Sequence, residues 1–75
     1  MVSNFESIAL SVIQGKNIKP TSFLRERIRS MEKKLDAGQA KTSEAMSFLR
    51  SEFKYNLSND DYRRIEKELG YNGIK

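Results

Sequence analysis

The chain is 75 residues long, with 14 Lys and Arg against 10 Asp and Glu and a formal charge of +4. It contains neither Cys nor His, which excludes disulfide bracing and removes the usual zinc ligands, the thiol nucleophile and the side chain that titrates near neutrality. A chain this short makes one domain and buries only about 60% of its extended surface, so it needs a tight core, a partner or a second copy of itself.

Residues 1–6 carry no basic segment ahead of a long apolar run and do not read as a secretory signal. No apolar run has the length needed to span a bilayer. A cytoplasmic setting without a membrane partner is the expectation.

The first helix is expected over 4–14. Ser3 and Glu6 stand at the capping-box spacing, and Phe5, Ile8, Ala9, Val12 and Ile13 form one stripe at helical period. Leu10 points away from that stripe. Gly15 is placed to supply a left-handed residue that ends the helix. Residues 15–20 make a connector in which Pro20 opposes helical geometry at Lys19.

The second helix is expected over 22–37, entered through Pro20, Thr21 or Ser22. Leu24, Ile28, Met31 and Leu35 form a narrow seam suited to one principal neighbour. Arg25, Arg29 and Lys33 run along one border of the seam. Arg27 and Lys34 lie on the other, beside Phe23. Gly38 stops the helix, and the short link after it favours an antiparallel neighbour.

The third helix is expected over 43–55, with Thr42 as its cap and Ala45, Met46, Leu49 and Phe53 on one face. Phe48 and Tyr55 share a flank, either buried against a neighbouring helix or exposed as an aromatic pair. The fourth helix is expected over 58–69. Ser58 and Asp61 form its capping box, Leu57 and Tyr62 its hydrophobic staple, and Tyr62, Ile65 and Leu69 its core face. Gly70 ends it, Tyr71 folds back toward Ile65, and residues 71–75 form a frayed tail. The fold class is thus all-α: a small four-helix domain, 1–75, around a central antiparallel helical hairpin.

Catalysis is not expected. There is no phosphate-binding Gly-rich loop, no dinucleotide fingerprint, and no base placed beside a particular Ser. No cofactor or metal is implied. Glu32 and Asp36 share a helix face, but they read as solvated acids beside Arg29 and Lys33. Asn59, Asp60 and Asp61 lack the alternating ligands of a calcium loop. The same acids oppose a reading of the last two helices as helix-turn-helix, because they would meet phosphate at the entry of the recognition helix.

Binding is the function class left. The leading expectation is a small regulatory or adaptor protein that grips another protein through Phe23, Arg27 and Lys34, with Phe48 and Tyr55 from the third helix. An aromatic anchor ringed by arginine is a fitting protein contact. The alternative is nucleic-acid binding, with Arg25, Arg29 and Lys33 on phosphates. A structural or assembly role is the third reading, and the hairpin seam also suits a homodimer.

Overall fold

A computed structural model of the chain describes residues 2–54 and 56–73. These form four helices and no strand: α1 (Phe5–Gly15), α2 (Ser22–Asp36), α3 (Thr42–Glu52) and α4 (Asn59–Tyr71). The all-α, four-helix architecture is the expected one. No described helix is long and apolar enough to cross a membrane.

Helix α1 lies at the centre of the packing. All five residues of its stripe are buried, and it packs more extensively on α2 and α4 than α2 does on α3. Residue pairing shows the directions. Ser3 and Glu6 meet Asp36 and Glu32 of α2, so those two helices run antiparallel. Asn4 meets Asn72 while Lys16 meets Asp61, so α1 and α4 do too. The α2–α3 hairpin is joined by Arg27 to Glu52. The seam of α2 divides accordingly: Ile28 and Leu35 are buried, whereas Leu24 and Met31 are half-buried against the core. Leu10 also packs on the core rather than pointing clear of it.

The start of α1 differs from the capping box expected there. Asn4 takes the N-cap position in a left-handed conformation (φ 56°) and makes no side-chain cap bond. Asn tolerates that conformation better than most side chains do. Ser3 turns inward and is fully buried, and its hydroxyl accepts from the Phe5 N–H at 3.3 Å. Two further donors here are met by α2. The Ser3 N–H donates to Asp36 Oδ1 at 2.7 Å, and the Glu6 N–H donates to Glu32 Oε1 at 3.1 Å. The Glu6 carboxylate reaches Arg29 at 3.0 Å instead of its own N-cap. Glu32 and Asp36 are therefore not free surface acids. Glu32 satisfies a donor that every helix start leaves open, Asp36 holds the residue just before the N-cap, and their charge suits the positive end of the α1 dipole.

Local signals decide the other boundaries. Thr21 is the cap of α2, its hydroxyl accepting from the Leu24 N–H at 3.1 Å. Gly38 takes a left-handed φ of 74° just beyond α2. At the end of α1, however, Asn17 rather than Gly15 adopts the left-handed conformation, and Gly15 stays helical. Helix α4 likewise continues through Gly70 to Tyr71. Tyr71 is 77% exposed, so it does not fold back on Ile65. Within the tail expected to fray, the Asn72 side chain donates to the Glu68 carbonyl at 3.1 Å. Ile74 and Lys75 lie outside the described residues.

Both halves of the Ser58–Asp61 capping box are present, and Leu57 and Tyr62 are buried as the staple requires. The Ser58 N–H bond holds the Asp61 carboxyl below its usual range against the opposing effect of burial, with Lys16 at 3.2 Å adding to the shift. The Tyr62 hydroxyl donates to the Phe53 carbonyl at 2.8 Å, closing the end of α3. Burial raises the Tyr62 pKa, and the nearby Arg50 guanidinium opposes this.

Thr42 is not the cap of α3. Lys41 occupies that position, and Thr42 opens the helix with its hydroxyl buried and without a partner among the described residues. A buried hydroxyl without a partner costs about 1–3 kcal/mol in desolvation. Thr42→Val keeps the shape and removes that cost. It is expected to raise unfolding stability by about 1 kcal/mol in a urea titration, and a loss of stability would show that the hydroxyl is satisfied.

Candidate functional site

Helix α2 carries the candidate residues on two flanks. At about 100° per residue, Phe23, Arg27 and Lys34 fall on one side of the seam. Arg25 falls on the other, with Arg29 and Lys33 beyond it.

The first flank faces α3. The Arg27 guanidinium lies 5.7 Å from the Phe23 ring centroid and 5.4 Å from that of Phe48, so it is held between two rings from different helices. It also forms an ion pair with Glu52. Phe48 is half-buried, with its ring 6.5 Å from that of Phe5 at a tilt of 55°. Phe23 is 69% exposed. The stack thus runs from the core outward: Phe5, Phe48, Arg27, then Phe23 at the surface. Beside it an open groove of about 180 Å³ is lined by Arg27, Ser30, Met31, Lys34 and Phe48. Four of the five residues expected in a protein contact are brought together here. The fifth, Tyr55, lies outside the described residues.

The second flank is less uniform than its spacing implies. Arg29 is bound to Glu6, and Glu32 and Asp36 stand among the bases while they hold the start of α1. Arg25 and Lys33 make no ion pair among the described residues. Arg25 instead lines a cleft with Gln14, Asn17, Ile18, Lys19 and Pro20. The three bases therefore do not act as one continuous row. The approach of the α1 C-terminal end and its connector to Arg25 was not visible from periodicity, because it depends on how α1 lies across α2.

No group of three or more acidic side chains among the described residues is placed to hold a metal ion. The chain matches no protein-family model, no curated protein and no solved structure.

The two rings of the stack differ in what they do for stability. Phe23 is exposed, so Phe23→Ser is expected to change unfolding stability by no more than about 0.5 kcal/mol. Phe48→Ala removes a ring packed on the core and is expected to cost about 2–3 kcal/mol. Denaturant titrations of both variants check this, and a collapse of folding in Phe23→Ser would make Phe23 a core residue.

Proposed function

We propose that this chain is a small non-catalytic adaptor or regulatory protein that binds another protein through the Phe23–Arg27–Phe48 face of the α2–α3 hairpin. The observation that carries this reading is the exposed Phe23 ring resting on an arginine already fixed by Phe48 and Glu52. An exposed aromatic held in place loses little side-chain freedom when a partner covers it. Aromatic residues and arginine are also the side chains that most often dominate protein interfaces. Met31 and the Phe48 edge give the groove an apolar wall, while Lys34 supplies charge at its border.

Nucleic-acid binding is the second reading. Its support is the net charge of +4, with Arg25 and Lys33 on this flank forming no ion pair among the described residues. The carboxylates interspersed on that flank work against phosphate contact, which is governed by charge. An assembly role, including self-association through the hairpin, ranks third.

Capture from a native lysate, with and without nuclease, separates these readings. The wild-type chain is expected to retain a protein partner that survives nuclease treatment and is lost with Phe23→Ser. Retention abolished by nuclease, or unchanged in Phe23→Ser, would contradict the proposal.

A further inference from the structure

A cleft lies between the end of α1 and the start of α2. Its volume is about 490 Å³, and its wall is made by Gln14, Asn17, Ile18, Lys19, Pro20 and Arg25. That volume lies within the usual range for small-molecule sites, about 300–1,000 Å³. Two of the lining residues are cations, two are amides, two are apolar, and none is a carboxylate. Arg27, Arg29 and Lys16 are each neutralised by an acid from another helix. Among the described residues Lys19 and Arg25 are not. Glu26 neighbours Arg25 in sequence but takes no part in the wall.

The connector that forms one side is well braced. The Lys16, Asn17 and Ile18 N–H groups donate to carbonyls of Ile13, Gln14 and Ile13 at 3.1–3.2 Å. Asn17 holds a left-handed φ of 59°, Pro20 restricts its own φ, and Lys16 is tied to Asp61 of α4. The connector backbone is therefore set before any ligand arrives, which lowers the ordering cost of binding.

We infer that this cleft binds a nucleoside monophosphate, with Lys19 and Arg25 on the phosphate and the base laid against Ile18 and Pro20. Arginine offers a fork of donors that matches phosphate oxygens, and lysine adds a point charge. Ile18 and Pro20 provide the apolar surface that a flat ring needs and an inorganic anion does not. The amides of Gln14 and Asn17 present donor and acceptor together, the combination that pairs with the edge of adenine. The cleft lies on the flank of α2 opposite Phe23, so occupancy leaves the proposed protein-binding face open.

The test is an NMR titration of the ¹⁵N-labelled full chain with AMP, and with adenosine and inorganic phosphate in parallel. AMP is expected to produce saturable shifts confined to residues 14–25, with adenosine and phosphate each weaker by about tenfold or more, which is 1.4 kcal/mol or more. Lys19→Gln with Arg25→Gln is expected to weaken AMP by at least about tenfold, with thermal unfolding unchanged because both side chains are exposed, and Arg29→Gln is expected to leave AMP binding as it was. A short single-stranded oligoadenylate identifies the source of the nucleotide. Tighter binding than AMP marks the cleft as one subsite of a strand, and equal or weaker binding marks a site for the free nucleotide. No shift at millimolar AMP, shifts spread over Arg29 and Lys33 as well, or full binding by the double variant would overturn the assignment.

Discussion

The arrangement depends on one contact: the start of α1 held by two carboxylates of α2. Helix α1 has 11 residues, and a helix of that length is marginal by itself in water. Its apolar stripe gives it a reason to pack but does not say how it should be rotated or where along α2 it should stop. Asp36 on the Ser3 N–H and Glu32 on the Glu6 N–H supply both answers. Each bond joins a charged acceptor to a donor that would otherwise be left open, and such bonds contribute about 1.5–3 kcal/mol. Arg29 completes the arrangement by neutralising Glu6.

That contact has consequences at the other end of α2. With the start of α1 fixed on Glu32 and Asp36, an antiparallel α1 must bring its end and its connector to Arg25, and so forms the cleft. The opposite flank of α2 is left to α3. There Arg27 is held between Phe23 and Phe48 and paired with Glu52. The bases of one amphipathic helix thus acquire different environments. Arg29 braces the fold, Arg27 positions an exposed aromatic, and Arg25 lines a cleft with no acid paired to it among the described residues.

Features encoded over three or four residues were legible in the sequence. The buried stripes of α1, α3 and α4 follow their periodicity, and the Ser58–Asp61 box closes as its spacing implies. The pairing of Phe23 with Arg27, one turn apart on α2, was legible for the same reason. The rest depends on how helices meet. The caps of α1 come from residues 26 and 33 positions away, and no local pattern marks them. Ser3 and Glu6 have the spacing of a capping box, yet the carboxylates of α2 and the guanidinium of Arg29 offer stronger, charged partners. Thr42 has the chemistry of a cap but lies one residue too late, inside the helix. Phe48 was already among the expected contacts, but its place over Arg27 follows only from how α3 lies against α2, and the cleft around Arg25 had no sequence signal beyond scattered basic and amide residues.

Amide hydrogen exchange at Ser3 and Glu6 tests the central claim most directly. If the carboxylates of α2 hold the start of α1, both amides exchange as slowly as those inside α1, and Asp36→Ala releases the Ser3 amide to rapid exchange while lowering stability by about 1–2 kcal/mol. Rapid exchange of both amides in the wild-type chain, or unchanged protection of Ser3 in Asp36→Ala, would contradict it.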